Sequence, residues 1–252
     1  MEQSRPRHVK LILALWRWLH GAPLSEPFEP YARALNDHWV RRRPVSLYLR
    51  GTYGGFHRQK STQGFEPRRR RRRLERIALA LCKGRVLNVG AGAGRHSLLL
   101  REAGLEVVSI DIEPTLVDLM KRRGLDHVYQ ADVFVFDRGE FDTILFLEET
   151  IGLAGALKRL PELLIRLKQR LNHGGQILLD SSCPGASYGS MQYAGEHEFQ
   201  LRYRSVFGRR FPWLQVDFGV LSVCAAAAGY DTELLVRGGA GPDYLARLTL
   251  KT

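Results

Sequence analysis

The apolar positions change period along the chain, and the change divides it into parts that read differently. From residue 84 to residue 180, short continuous apolar runs alternate with stretches whose apolar residues fall three and four apart. The runs at 85–89, 106–110, 127–130, 141–147 and 176–180 predict strands, the last two buried. The stretches at 94–103, 114–123 and 155–171 predict helices. Pro114 suits a first helical turn, where a backbone N–H would have no intrahelical partner anyway. Leu157, Leu160, Leu164 and Leu167 share one helix face, and Asn172, His173, Gly174 and Gly175 stop that helix with residues that tolerate positive φ. Such alternation implies a parallel sheet covered by helices on both faces.

Beyond Ser181 the pattern is mixed. Residues 199–206 and 211–214 flank Gly208, Arg209 and Arg210 as the arms of a hairpin would. Residues 216–228 predict a helix, and 233–236 and 244–250 two further strands. The first 66 residues are less regular. Residues 9–20 and 31–39 are compatible with helices, Pro44 marks a break after Arg41, Arg42 and Arg43, and the glycine-rich polar stretch 50–64 reads as a loop. Six arginines at 68–73 run into 74–81, whose apolar residues at 74, 77, 78 and 81 have helical spacing, so they form the exposed start of a helix. Charges that close repel, and an anion or solvent must offset this. The apolar run 11–16 follows Arg5, Arg7 and Lys10 as the core of a signal peptide does. It is six residues long and followed by a poor cleavage site, so an amphipathic helix packed on the body is the preferred alternative. The stretch 11–19, interrupted by Arg17, falls far short of the roughly 20 residues of a membrane span.

A chain of 252 residues, 44% of them hydrophobic, is enough for one well-buried α/β domain and a small extension. Cys82, Cys183 and Cys224 are far apart and odd in number, so they frame neither a disulfide scaffold nor a metal site, and a reducing cytoplasm is the expected setting. Charge alters the picture more. The net charge is +12, yet residues 1–85 carry +14 and residues 86–252 carry −2. The basic first third either meets an anionic partner, nucleic acid among them, or presents solvated arginine-rich helix faces.

The sharpest local signal is the strand 85–89 running into Gly90, Ala91, Gly92, Ala93 and Gly94 and then into a helix. Glycine lets the chain turn sharply and lets a ligand lie against bare backbone. The Gly-x-Gly-x-Gly spacing disfavours a dinucleotide pyrophosphate, which needs Gly-x-Gly-x-x-Gly, and no Gly-Lys-Ser/Thr phosphate loop is present. Asp111, with Ile112 after it, ends the second strand 21 residues beyond Gly90, where a carboxylate can accept both hydroxyls of a ribose; capping the helix that opens at Pro114 is its competing role. Asp132 follows the third strand and can accept from an adenine amino group, with Val133 against the ring, or simply shape a turn. Glu148 and Glu149 end the fourth strand, at the rim where open α/β sheets bind ligands, and are site residues or solvated acids.

Taken in order, these four elements resemble the class I S-adenosylmethionine-dependent methyltransferases. The likeness covers roughly residues 74–180, including the stretch 171–179, which is similar to the family's turn before its fifth strand, and more loosely the chain end. Residues 212–217 and 244–248 are similar to segments of an uncharacterised bacterial subgroup of that family. The resemblance implies an α/β, Rossmann-like seven-stranded mostly parallel sheet flanked by helices, ordered three-two-one-four-five-seven-six with the seventh antiparallel. It implies that Gly90, Ala91, Gly92 and Gly94 hold the methionine end of S-adenosylmethionine, Asp111 and Ile112 the ribose side, and Asp132 and Val133 the adenine, with Glu148 beside them. The product would be S-adenosylhomocysteine. The family usually has an acid where this chain has Asn88, which can still hydrogen-bond the glycine loop. On this reading residues 74–252 form the methyltransferase domain. Residues 1–73 are a basic N-terminal helical extension or lid, and 184–214 a substrate-side insertion.

Methyl transfer from a sulfonium is an in-line displacement in which alignment does most of the work, although a hydroxyl acceptor gains from a general base. Glu149 and Glu148 are the candidates for that role, with His96 and Tyr193 behind them; His96 can equally orient the glycine loop. Paired acids at the rim favour an amine-bearing or cationic acceptor, a small molecule or a peptide. Leu147-Glu148-Glu149-Thr150 lacks the Asp/Asn-Pro-Pro-Tyr of amino-methylating DNA enzymes, and Cys183, beside Pro184, follows the fifth strand and reads as structural. Two alternatives stay open: an RNA methyltransferase holding phosphates with Arg41–Arg43 and Arg68–Arg73 and stacking bases on Tyr48, Tyr53 and Phe56, and a cofactor-binding regulatory protein without catalysis.

Overall fold

The computed structural model describes residues 26–52, 54–60, 65, 72–182, 193–238 and 243–251. Helix α1 (Glu29–Arg41) is followed by a hairpin of β1 (Ser46–Arg50) and β2 (His57–Lys60), and helix α2 (Arg72–Leu81) leads into the alternating region. That region runs β3 (Arg85–Val89), α3 (Arg95–Glu102), β4 (Glu106–Asp111), α4 (Pro114–Arg122), β5 (Val128–Gln130), β6 (Phe141–Phe146), α5 (Leu160–Lys168) and β7 (Leu171–Ser182). Strands β8 (Glu196–Tyr203), β9 (Val206–Phe207) and β10 (Phe211–Leu214) follow, then α6 (Phe218–Ala227), β11 (Tyr230–Arg237) and β12 (Asp243–Leu250).

Seven strands form one mixed sheet in the order β11-β12-β7-β6-β3-β4-β5. The five from β7 to β5 are parallel, and β12 runs antiparallel to both neighbours. This is the order expected. Successive strand residues face opposite sides, so both faces must be apolar. Val86, Leu145, Leu178 and Leu245 pack on one face with Leu74 and Ala78 of α2. Leu87, Ile144, Ile177 and Ala246 pack on the other with Leu160 and Leu164 of α5 and Leu221 of α6. Asp217 caps α6 by accepting from the Val220 N–H at 3.0 Å, and Pro114 opens α4 as its sequence suggests.

Three expectations need correction. The stretch 50–64 is not all loop: β1 and β2 pair antiparallel, and β1 also pairs with β8. The extension is therefore a helix plus a hairpin among its described residues, and His57-Arg58-Gln59-Lys60 hid its strand because no apolar residue marks an inward face. The helix expected over 155–171 spans only 160–168. Gly155 at φ +75 breaks the chain there, two 3₁₀ turns (Thr150–Ala154 and Leu157–Arg159) precede it, and Pro161 fixes the first helical turn. Residues 172–175 lie inside β7, whose register with β6 slips between Phe141 and Thr143, with Gly174 at φ +71.

Strands β10, β8, β1 and β2, with β9 beside β8, form a second sheet that is antiparallel throughout. It joins the N-terminal hairpin to the segment before α6. Helix α1 lies between this sheet and the larger domain. Ala32 and Leu35 pack with Ala93, Leu116 and Leu119, while Ala34 packs with Leu47, Leu201 and Tyr203. The helix expected at 9–20, Arg68–Arg71, Tyr53 and Cys183 lie outside the described residues. Among the described residues no helix is long and apolar enough to cross a membrane, and no cluster of three metal-ligating side chains occurs.

Candidate active site

Strand β3 carries the chain into the glycine loop at the carboxyl end of the sheet. Gly90, Gly92 and Gly94 all adopt positive φ, at +63°, +58° and +77°, which L side chains rarely tolerate. Their surroundings differ. A Cβ on Gly94 would lie 2.6 Å from Leu125 and 2.9 Å from Met120, so this glycine backs the loop against α4 and does not reach the cavity wall. A Cβ on Gly92 would meet nothing nearer than the Tyr31 hydroxyl, at 3.6 Å, so its backbone is bare toward the cavity. Asp111, at the end of β4, accepts from the Gly92 N–H at 2.9 Å through Oδ2 and from the Glu113 N–H at 3.0 Å through Oδ1. Burial pushes its carboxyl up to about 6, against the downward pull of those N–H groups.

The loop and the strand ends form the floor of a cavity of about 650 Å³. Ala91, Ile112, Asp132, Val133, Glu148, Glu149 and His96 also line it. Its roof comes from the smaller sheet, as Leu47, Leu49, Phe199, Leu201, Phe211 and Trp213, and from α1, as Tyr31. The roof is pinned at one point by a close contact: a Cβ on Gly152 would fall 2.3 Å from the Trp213 indole.

Glu148 and Glu149 both sit in the left-handed region, at φ +60° and +65°. Two such residues in a row are uncommon, and strain of this kind persists only where surrounding contacts hold it. Asp180 on β7 accepts the Glu149 N–H at 2.7 Å. The Glu149 carboxylate accepts from the Ser182 hydroxyl at 2.6 Å and from Gln215 Nε2 at 3.3 Å. The Glu148 carboxylate lies 3.5 Å from Arg95 Nη2. Asp132 accepts the Phe134 N–H at 2.9 Å, a local turn that leaves it on the cavity wall.

Arg95, the first residue of α3, is buried and paired with buried Glu75 of α2. Its Nη2 also lies 2.7 Å from His96 Nε2. Burial and the Arg95 charge push the imidazole down to about 3, so it is neutral at physiological pH and its Nε2 accepts from Arg95. His96 is thus tied to the loop's helix. Tyr193 donates to Asp217 at 2.7 Å and accepts the Asp217 N–H, bracing the α6 cap. Asn88 donates to the Ser97 hydroxyl on α3 at 2.8 Å, and Ser109 of β4 donates to the same oxygen at 2.7 Å, so the partner of Asn88 is α3 rather than the glycine loop.

Sequence reasoning did not find Arg95 and Glu75 as a buried pair, Gln215 and Ser182 around Glu149, or the apolar roof. Nor did it find Thr150, whose hydroxyl is buried on the cavity wall beside Gly90 with no hydrogen-bond partner among the described residues. Only the adjacency of Glu75 to an arginine-rich stretch hinted at any of these.

The sheet order, the glycine loop after its central strand and the acids at the following strand ends define the class I methyltransferase fold. A family model described as a methyltransferase domain matches residues 87–179. An S-adenosylmethionine-dependent methyltransferase from Bacteroides fragilis, solved in complex with S-adenosyl-L-homocysteine, is 36% identical. It superposes with a TM-score of 0.81 over 92% of this chain and 98% of its own. Cypemycin N-terminal methyltransferase from Streptomyces is 31% identical over 104 residues, which are 39% of this chain and span 42% of that enzyme. The sugar N-methyltransferase KedS8 from Streptoalloteichus, 20% identical with a TM-score of 0.55, covers 76% of this chain and 90% of its own and shares the fold. The chain belongs to the S-adenosylmethionine-dependent methyltransferases, with S-adenosylmethionine as its cofactor.

Proposed function

We propose that the protein methylates a small-molecule or peptide acceptor, amine-bearing or cationic, held between the glycine loop and the apolar roof. The observation that carries this reading is the roofed cavity with Glu149 fixed on its wall. A nucleic acid entering as acceptor would meet Leu47, Leu49, Phe199 and Trp213 there, where phosphates call for cations. The Streptomyces relative is named as an N-terminal methyltransferase, and an amine acceptor fits that name.

The residues fit the cofactor. Gly90, Ala91 and Gly92 offer backbone without side chains, and the orphaned Thr150 hydroxyl beside Gly90 supplies a donor for the methionine end. Gly94 contributes by letting the loop pack on α4. Asp111 holds the ribose hydroxyls beside Ile112, and Asp132 the adenine amino group beside Val133. When bound, the cofactor supplies a methyl group on a sulfonium whose leaving group needs no further activation. The chain's own work is then alignment and exclusion of water, for which the roof serves. Glu149 receives the charge or proton of the acceptor, while Glu148, held by Arg95, completes the acidic rim. His96 orients the loop's helix through its Nε2, which accepts from Arg95. Residues 74–252 serve as the methyltransferase domain. The 1–73 extension and the 184–214 insertion, through their described parts, build the acceptor side.

Calorimetric titration of the protein with S-adenosylmethionine and S-adenosylhomocysteine tests the cofactor site. Micromolar binding that falls by about a hundredfold in Asp111→Ala is expected, a loss of about 3 kcal/mol. Unchanged binding in that variant would remove the assignment of Asp111. Release of S-adenosylhomocysteine on pools of primary amines, and its loss in Glu149→Gln, tests the acceptor class; turnover on hydroxyl pools alone would refute it.

A further inference from the structure

The roof sheet has a second face, turned away from the cavity. Because side chains alternate, Leu47, Leu49, Phe199 and Leu201 point inward, while Tyr48, Arg50, Arg58 and Arg202 point outward. Tyr48 lies directly opposite Arg202 on one side and Arg58 on the other. The Arg202 guanidinium stands 4.5 Å from the Tyr48 ring centre, 5.0 Å from Phe56 and 5.6 Å from Phe207. The Arg50 guanidinium stands 5.3 Å from the same Phe56 ring. Two cations therefore converge on one aromatic ring.

Neither cation is balanced among the described residues. The neighbouring arginines of this sheet each have an acid: Arg204 pairs with Asp37 at 2.9 Å, Arg209 with Glu26 and Arg210 with Glu198. Among the described residues no acid pairs with Arg50, Arg58 or Arg202. The Nε atoms of Arg50 and Arg202 are both buried without a hydrogen-bond partner among the described residues. A buried N–H with no acceptor calls for a missing one, and two cations without acids on one face of a sheet call for an anion. Stacking holds each guanidinium plane and leaves its N–H edge to grip oxygen atoms in pairs.

We propose that Arg50 and Arg202, with Arg58 beside them, form a phosphate-binding site on the outer face of the roof, separate from the methyl-transfer cavity. Phosphate is preferred to carboxylate by charge and by valence. Two guanidiniums match the roughly −1.5 to −2 of a phosphate monoester, whose three terminal oxygens can serve both orphaned Nε–H groups and the forks beside them. A single carboxylate neutralises only one of the two cations. Adjacent diester phosphates of a nucleic-acid backbone present the same chemistry, with the rings of Tyr48 and Phe56 nearby.

The test is calorimetric titration of the full chain at low salt with pyrophosphate, with a 12-residue oligouridylate bearing hydroxyl ends, and with oligoglutamate of equal charge. Arg50→Gln and Arg202→Gln are each expected to weaken binding of the phosphate probes by about tenfold, with Arg202→Lys intermediate. Binding of S-adenosylhomocysteine, unchanged in all three variants, shows that they fold and that the cofactor site is independent. An oligouridylate that binds tighter than pyrophosphate, with affinity falling steeply as salt rises, assigns the phosphate to a nucleic-acid backbone. Pyrophosphate binding as tight as the oligomer assigns it to a small phosphorylated molecule. The proposal fails if no phosphate probe binds, if the glutamine variants bind as the parent does, or if oligoglutamate binds as tightly as both.

Discussion

Arg95 and Glu75 form an ion pair in which each side chain is only 8% exposed, and it joins the helix that follows the glycine loop to the helix behind the sheet. Removing one partner of a buried pair leaves the other charge desolvated and uncompensated. Glu75→Ala should therefore destabilise the protein by about 3–5 kcal/mol, read from the urea midpoint. The double variant Glu75→Leu/Arg95→Met should recover much of that loss, because well-packed apolar groups of similar volume replace such pairs at little cost. Equal destabilisation in both proteins would show that shape, not charge, is what α2 contributes.

Asp111 gives the site a pH dependence. Its carboxyl sits near 6 in the folded protein against 3.8 for the free group. Between those values the fold keeps a proton that the unfolded chain has released, so this group favours folding at low pH. That contribution is lost as pH rises from about 4 through about 6. Cofactor binding through the ionised carboxylate has the opposite sense. The affinity for S-adenosylhomocysteine should fall as pH drops below about 6, approaching tenfold per pH unit. Asp111→Asn should bind weakly and lack this dependence; a parent protein with flat affinity across the window would contradict the ribose role.

Gly152 leaves room for Trp213 and for nothing else. A methyl group there must displace the indole, its centre being 2.3 Å from the ring. Gly152→Ala should cost about 1–3 kcal/mol through overpacking and should shift tryptophan emission as the ring moves into the cavity. The companion Gly152→Ala/Trp213→Leu should restore stability without restoring the shape of the roof.

The left-handed backbone at Glu149 reverses a common preference. Glycine in place of alanine usually destabilises, but at φ +65° the alanine Cβ is the group under strain. Glu149→Gly should be more stable than Glu149→Ala by about 1 kcal/mol, and neither should retain methyl transfer. Thermal melts of the two variants decide this, and a less stable glycine variant would mean that the turn does not hold its geometry on its own.

The parts of the site that were legible in the sequence are those made by neighbours. Gly90, Gly92, Asp111, Asp132 and Glu149 each sit where one strand ends, and the strand ends meet because parallel strands align their carboxyl edges. What was illegible depends on distant partners. Nothing in His57-Arg58-Gln59-Lys60 marks a strand, since its pairing with β1 supplies the order that its own apolar content does not. Arg95 reads as a surface residue until Glu75 is known to face it. Gly94 looks identical to Gly92 in the motif, yet one touches Met120 and Leu125 and the other opens on the cavity. The hairpin arms expected on either side of Gly208 do pair, β10 beside β8, but nothing in the sequence marks β1 as the partner on the other edge of β8.

The backbone N–H of Glu198 bonds the hydroxyl of Thr52, 146 residues earlier in the chain. On the ribosome, the β1–β2 hairpin emerges long before the strand that completes its sheet, and the whole nucleotide-binding half is made in between. Contacts so remote in sequence form late and slowly. A nascent chain must therefore carry an unfinished sheet, its inner apolar side uncovered, until almost four-fifths of its length exists. That interval is when such a protein is most open to aggregation and to chaperones. The roof over the cavity is thus closed only after all five parallel strands of the larger sheet exist, and shortly before the last two strands, β11 and β12, complete that sheet.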